Sequence, residues 1–357
     1  YVVAAATMGY ALLLLLRPVL VRRPSSTAER ERARRIVEGW GCSSLARLAL
    51  LPDKSFLFSE GGSVVAYVAK GRAAVALGDP IGPPQDALPA ITAFRDLCWQ
   101  SDWNAAFYQT LPELLPAYQE AGFHALRIGA EAIVDLEHFS LEGKDGKAFR
   151  NAQHRLTRLG HRVGTFDPPI APEVMEELRA VSDEWLTLVH GTEKRFSLGW
   201  FDEDYVASSQ ILAVLAADGA VTAFANLLPE YRRNETSVDL MRHRREAPPG
   251  TMDFLFLALF EWSKAHGFAT FNLGLSSLSG VGEHPQDPGL ERALHFSVEH
   301  IRRFYDFKGL FEYKAKFNPS WSPRFLIYPS AAALPSILAC LARADSGDDG
   351  WLGILRR

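Results

Sequence analysis

SVDLMRHRREAPPGTMDFLFLALF, the stretch from Ser237 to Phe260, passes from strand to loop to helix within 24 residues. Ser237 to Met241 reads as a strand, and alternation along it puts Asp239 and Met241 on one face, Leu240 and Arg242 on the other. Near the strand end the chain bends, so both charged groups are expected to reach one site. Arg244-Arg245-Glu246-Ala247-Pro248-Pro249-Gly250 breaks the pattern, and Thr251 opens a helix to His266. Met252 to Phe260 is apolar on nearly every face, which predicts a buried helix. A helix start behind an arginine-rich Pro-Gly loop offers unpaired N–H groups and a positive dipole end to a phosphate. The plainer reading is a helix entry with exposed arginines.

Working outward, strands are expected at Ile211 to Ala216, Val221 to Leu228, Thr270 to Gly274 and Phe325 to Tyr328, with helices at Pro172 to Val189 and around Glu291 to Tyr305. The first half has the same order. Phe56 to Phe58, Ser63 to Ala69 and Arg72 to Leu77 read as three antiparallel strands, the last two joined by a Lys70-Gly71 turn. A helix from Asp86 to Trp99, a strand at Asn104 to Gln109, a helix at Pro112 to Ala121 and a strand near Ala132 to Leu136 follow. This order predicts an α+β protein of two GNAT-like acyltransferase units in tandem, over 36–165 and 166–330. The tail over 331–357 has an apolar stretch at Leu334 to Leu341 and a flexible break at Asp345 to Gly350, with no chemistry read there.

The composition agrees with a folded chain. Its 357 residues carry 38 Lys+Arg against 42 Asp+Glu, net −4, and 48% are hydrophobic. That excludes a disordered protein, and the slight acidity argues against nucleic-acid binding over the whole surface. Cys42, Cys98 and Cys340 are widely spaced without a C-x-x-C pair and point to a reducing compartment. Tyr1 to Leu16 carries no charge and is followed by Arg17, Arg22 and Arg23. It is shorter than the about 20 residues of a full span and lacks a signal-peptide pattern. The expectation is the end of a transmembrane helix over 1–21 and a basic juxtamembrane linker over 22–35. The arginines would then mark the cytoplasmic side; a buried soluble helix is the alternative.

Lys147 to Arg162 predicts an amphipathic helix with Phe149, Ala152, Leu156, Leu159 and Val163 on its inner face. Its other stripe holds Lys147, Arg150, His154, Arg158 and His161. A solvated face explains such a stripe, and a phosphate-tracking surface for RNA or anionic lipid is the functional alternative. No metal cluster, Walker loop, G-x-G-x-x-G or G-x-S-x-G is present, so neither a metal nor a cofactor is expected. Polar residues gather at strand ends in the second half: the opening stretch, then Phe271-Asn272-Leu273-Gly274-Leu275 with Ser276, Ser277 and Ser279. A last run interleaves rings and cations, from Glu291-Arg292 through Arg302, Arg303, Tyr305, Phe307-Lys308-Gly309-Leu310 to Tyr313, Lys314, Lys316 and Phe317.

Several of these motifs occur together and in order. VDLMR at Val238 to Arg242, APPGTMDFLF at Ala247 to Phe256, FNLGL at Phe271 to Leu275, SGVG at Ser279 to Gly282 and FYDFKGL at Phe304 to Leu310 resemble the bacterial aminoacyl-phosphatidylglycerol synthases, the multiple peptide resistance factors. FSLGWF at Phe196 to Phe201 and K-F-N-P-x-W-x-P-R at Lys316 to Arg324 add to it, and the resemblance covers about residues 40 to 330. It implies a cytosolic catalytic region of two acyltransferase-type folds, attached at the bacterial inner membrane to an N-terminal flippase domain that lies outside this chain. It further implies transfer of an amino acid, commonly Lys or Ala, from aminoacyl-tRNA to phosphatidylglycerol. Such transfer lowers the membrane's negative charge and gives resistance to cationic antimicrobial peptides.

The aminoacyl ester is already activated, so the reaction needs alignment and proton transfer rather than a cofactor. In this reading Asp239 is the base or hydroxyl orienter, Glu291 the alternative carboxylate, and His190 a proton relay. Arg242 and Lys308 hold the lipid phosphate or stabilise the oxyanion, with Arg302 and Arg303 as further phosphate contacts. Arg244, Arg245, Gly250 and Thr251 face the terminal tRNA phosphates, helped by Lys147, Arg150 and Arg158. Competing readings of the same fold are an acyl-CoA-dependent transferase, a peptidoglycan-bridge aminoacyltransferase and a lipid- or tRNA-binding module without catalysis. The absence of a clear Q/R-x-x-G-x-G/A loop speaks against coenzyme A.

Overall fold

The computed structural model describes residues 25–144, 146–189, 193–229, 231, 234–277 and 307–354, with the side chains at 307, 308 and 347–354 outside that description. In chain order the first half is α1 (Thr27–Trp40), α2 (Leu45–Leu48), β1 (Ser55–Phe58), β2 (Val64–Lys70), β3 (Ala73–Leu77), α3 (Ala87–Gln100), β4 (Asn104–Thr110), α4 (Leu115–Glu120) and β5 (His124–Asp135). The second is α5 (Lys147–Arg158), β6 (Arg162–Phe166), α6 (Pro172–Leu188), α7 (Glu203–Ala207), β7 (Ile211–Leu215), β8 (Val221–Leu228), β9 (Glu235–His243), α8 (Thr251–Ala265), β10 (Thr270–Ser277), α9 (Phe307–Ala315), β11 (Ser320–Tyr328) and α10 (Leu334–Ile354).

These strands form one eleven-stranded sheet in the order β1-β2-β3-β4-β11-β5-β10-β9-β8-β7-β6. The α+β expectation is met, and the expected strands appear in order among the described residues, with β6 and α9 as elements the sequence did not predict. The halves are nevertheless interleaved at the centre. β11, the last strand in sequence, runs antiparallel to β4 on one side and β5 on the other, and β5 in turn pairs with β10. A buried polar cluster ties this seam together. Arg324 on β11 is ion-paired with Glu131 on β5, and Asn272 Nδ2 on β10 donates to Glu131 Oε2 at 2.8 Å and to Glu235 Oε1 of β9 at 3.1 Å. Arg324, Glu131 and Asn272 are each at most 2% exposed, so removing one partner would leave a charge buried without compensation.

Apolar clusters cover the sheet. α3 and α4 pack on the first half through Phe94, Phe107 and Tyr118, and α8 packs on the second through Leu255, Leu259 and Phe260. On the remaining face one cluster runs across both halves, joining Val75 and Leu77 to Leu178, Phe224 and, from α10, Ile337 and Cys340. Each such side chain contributes about 1.5–3 kcal/mol by leaving water.

Two expectations are corrected. The Lys147 helix stops at Arg158, because Gly160 adopts φ +80 and the His161 N–H closes on the Leu156 carbonyl at 2.9 Å, a left-handed helix stop. Val163 therefore belongs to β6, which pairs with β7, and not to the helical stripe. The break at Asp345 to Gly350 is instead part of α10, continuous from Leu334 to Ile354, which buries Leu334, Ile337, Cys340 and Ala344 before that point. Residues 27–35 of the basic linker form the start of α1, opened by a Ser26–Glu29 capping box. The membrane helix expected over 1–21 lies outside the described residues; among those described, no helix is long and apolar enough to cross a membrane.

Candidate active site

β9 and β10 are neighbouring parallel strands, but they pair only over Thr270–Asn272 against Glu235–Ser237. Beyond that point they splay. The gap opens into a cavity of about 440 Å³, lined from β9 by Asp239 and Met241, from β10 by Gly274 and Leu275, and from α9 by Leu310 and Lys314. Leu45, Leu48, Leu198, Leu228 and Leu341 make most of the remaining wall apolar.

A bulge aims Asp239. Ala225 pairs with Met241 but Leu227 pairs with Val238, so β9 carries one extra residue there, and the displaced Leu240 N–H is taken up by Asn226 Oδ1 at 2.7 Å. Bulges of this kind re-aim a side chain. The Asp239 carboxylate accepts the Tyr205 hydroxyl at 2.8 Å and the Gly199 N–H at 3.0 Å. Burial pushes its pKa up, opposed by these two hydrogen bonds and by the Arg242 charge. Gly199 has no room for a side chain, since a methyl group there would overlap Asp239 and the Tyr205 ring.

Lys314 is the buried cation of the cavity, 5% exposed, and its Nζ donates to the Gly274 and Leu275 carbonyls at 3.0 and 2.9 Å. Burial lowers its pKa to about 8, against the opposing pull of Glu131. In the neutral form both N–H bonds are used by these carbonyls and the lone pair is left over, which makes this amine a competent proton acceptor near neutral pH. In the sequence Lys314 stands out only as one of a run of cations. Its spacing of four from Leu310 on a helix was the available signal. Tyr205 carried no comparable signal, and Gly199 was visible only as part of the FSLGWF motif.

Arg242 is not at the cavity wall. Its guanidinium forks onto Glu193 at 2.9 and 2.7 Å, also donates to Ser182, and lies over the Trp185 ring. At 3% exposure it is neutralised where it stands. Glu193 Oε1 also accepts the Phe201 N–H at 3.1 Å, so the pair fixes both ends of the 193–201 segment that presents Gly199 to Asp239. The alternation along β9 is as expected, but Arg242 is turned onto Glu193 and does not share the cavity with Asp239.

The phosphate candidates divide. Arg244 is half-buried, donating from Nε to the Val221 carbonyl and from Nη1 to Glu184, while the Arg245 side chain is exposed. Gly250 adopts φ +91 against Ala152 of α5, and Arg155 donates to the Pro249 carbonyl at 3.0 Å. The basic helix and the arginine loop, 90 residues apart in sequence, thus adjoin as one surface with Lys147, Arg158 and Arg245 exposed. Arg150 instead bonds the Leu141 and Gly143 carbonyls and holds the loop before α5. The Thr251 hydroxyl donates to the Pro248 carbonyl, and Asp253 in the first turn of α8 is paired with Lys316. Lys308 is in the first turn of α9, with its side chain outside the described residues. Glu291, His190, Arg302 and Arg303 lie outside them altogether, as does the helix expected around Glu291 to Tyr305. Among the described residues no group of His, Cys, Asp and Glu could hold a metal ion.

Residues 34–328 match the sequence model of the C-terminal region of phosphatidylglycerol lysyltransferase. The chain is 35% identical over 317 residues to a phosphatidylglycerol lysyltransferase of Bacillus subtilis, covering 88% of this chain and 37% of that protein. A relative of the same name in Staphylococcus aureus strain MRSA252 is 34% identical over 299 residues, 84% of this chain and 35% of the relative. The chain thus spans little more than a third of these relatives. Among solved structures, L-PGS from Bacillus licheniformis superposes with a TM-score of 0.79 at 35% identity, over 88% of this chain and 95% of that one.

Proposed function

The chain belongs to the phosphatidylglycerol lysyltransferase C-terminal family, and on that premise we propose that it transfers an aminoacyl group from aminoacyl-tRNA to the glycerol hydroxyl of phosphatidylglycerol. The observation that carries this reading is the cavity between the splayed strands, with apolar walls suited to a lipid and with Asp239 and Lys314 on its lining. The lipid hydroxyl oxygen attacks the ester carbonyl carbon, the bond to the terminal ribose oxygen breaks, and that oxygen takes up a proton. Asp239, held by Tyr205 and Gly199, accepts a hydrogen bond from the hydroxyl and orients it. Neutral Lys314 receives the hydroxyl proton, and as the ammonium it stabilises the oxyanion and returns a proton to the leaving ribose. Arg242 and Glu193 act as positioning residues.

The joined surface of α5 and the arginine loop suits the phosphates of a tRNA acceptor end, with Arg158 and Arg245 exposed for them. Attachment of an amino acid to the headgroup would lessen the membrane's negative charge and its attraction for cationic antimicrobial peptides. The reading places this region on the cytoplasmic face of the bacterial inner membrane, with the flippase domain outside this chain.

The test mixes the chain with phosphatidylglycerol vesicles and a panel of radiolabelled aminoacyl-tRNAs, with acetyl-CoA as a control donor. Label entering the lipid from one charged tRNA is the expected result, and it names the amino acid. Transfer from acetyl-CoA alone, or vesicle binding without transfer from any donor, would overturn the proposal.

A further inference from the structure

The end of β4 away from the cavity carries a surface that the transfer reaction does not use. Trp99, on the last turn of α3, is 84% exposed, the most of any large apolar side chain among the described residues. Beside it Trp103, Arg72 and Pro335 help to line a hollow of about 600 Å³. Asn104 Nδ2 donates to Ser336 Oγ at 2.7 Å, which fixes the start of α10 against the start of β4. Leu338, 48% exposed, stands one turn after Pro335 and extends the apolar strip along the same helix face.

The charges around this strip are mostly positive. The β2–β3 turn bears Lys70 and Arg72, Arg343 Nη1 lies against Gly71 within that turn, and Asp102 is the acid lining the hollow. Ser25 Oγ donates to the Lys54 carbonyl ahead of α1, and the Tyr67 ring lies 6.5 Å from that of Trp103. Before Ser25 the sequence holds the uncharged run of residues 1–16 and then Arg17, Arg22 and Arg23.

We propose that Trp99, Pro335 and Leu338, with Lys70, Arg72 and Arg343 around them, dock this end of the protein onto an anionic phospholipid bilayer. An exposed indole beside aliphatic side chains suits the boundary between headgroups and acyl chains, and clustered Lys and Arg favour an anionic leaflet. A stacking platform for a single nucleic-acid base would use the ring but leave Leu338 and Pro335 in water. α10 leads from this surface to the cavity. Pro335 to Asp345 is ten residues, about 15 Å of helix, so docking holds the cavity within a short reach of the lipid. The proposal does not depend on transfer activity and fails separately from it.

The test uses the full chain and vesicles of phosphatidylglycerol and phosphatidylcholine with brominated acyl chains, which quench tryptophan fluorescence on contact. Wild type is expected to be quenched, and Trp99→Phe to lose most of that quenching while still floating with the vesicles. The double variant Arg72→Glu with Leu338→Ser should bind the same vesicles about tenfold more weakly, with a smaller dependence on salt. Equal quenching in wild type and Trp99→Phe, both vesicle-bound, overturns the proposal. Unchanged flotation of the double variant with loss of tRNA affinity also overturns it and gives the surface to nucleic acid. A concentration-dependent dimer that the double variant abolishes, with flotation unchanged, overturns it in favour of a second copy.

Discussion

Each half of the sheet has a parallel pair of strands with a tyrosine-held carboxylate at its end, and only one pair has opened. In the first half β3 and β4 stay paired over five positions from Ala73–Asn104 to Leu77–Tyr108, and the Gly78 N–H extends the pairing to the Tyr108 carbonyl. Asp79 follows directly, accepting the Tyr118 hydroxyl and the Leu111 N–H, both at 2.9 Å. In the second half β9 and β10 part after three positions, and Asp239 accepts a tyrosine hydroxyl and a backbone N–H in the same way. Asp79 borders a space of about 20 Å³, Asp239 one of about 440 Å³. The carboxylate cradle is common to both, and what separates them is the room that strand splay gives a substrate.

The sharpest way to break this comparison is to exchange the outcomes at the two carboxylates. Asp239→Asn should lower aminoacyl transfer by about 10³-fold while thermal unfolding stays within a few degrees of wild type; full activity would remove Asp239 from the chemistry. Lys314→Met should cost about 10²-fold. The wild-type rate should climb as pH rises towards about 8, where the Lys314 amine loses its charge, and then level off. A pH profile that Lys314→Met leaves unaltered would refute the proton-transfer role. Gly199→Ala, which crowds Asp239 without removing it, should cost about tenfold in kcat with a smaller change in KM.

Asp79→Asn should leave transfer unchanged within about twofold, the smallest effect of the series. Its readout is stability. Burial raises the Asp79 pKa to about 6 from 3.8, so the folded protein holds this proton more tightly than the unfolded chain. Wild-type stability should therefore fall as pH rises from 4 to above 6, by about 1–2 kcal/mol after allowance for partial exposure, relative to the variant. Parallel denaturant titrations across that range check it, and parallel curves would show that Asp79 is indifferent to its surroundings.

Much of the fold was legible because strand alternation and helix burial are local. Val221 to Leu228 was placed at its observed bounds, and the buried character of Met252 to Phe260 followed from its composition alone. The Gly160 stop was missed because Val163 continued the apolar spacing past it. At the site, Asp239 could be found from a strand-end motif. Tyr205 and Lys314 reach the same region from 34 residues before and 75 after, on two helices, α7 and α9, whose approach depends on how the sheet splays. Arg242 shows the converse. Its motif made it prominent, but the partner that decides its role, Glu193, lies 49 residues away and had no pattern to announce it.

The central position of β11 also has a consequence for synthesis. β4 and β5 leave the ribosome with the gap between them unfilled, and the strand that fills it is encoded nearly 200 residues after β5 has been made. Until Tyr328 has emerged, the long antiparallel partner of β5 does not exist and Glu131 has no arginine. The nascent first half therefore carries a buried-to-be acid and an open strand edge until the residues between β5 and β11 have been made, and only β11 can close them.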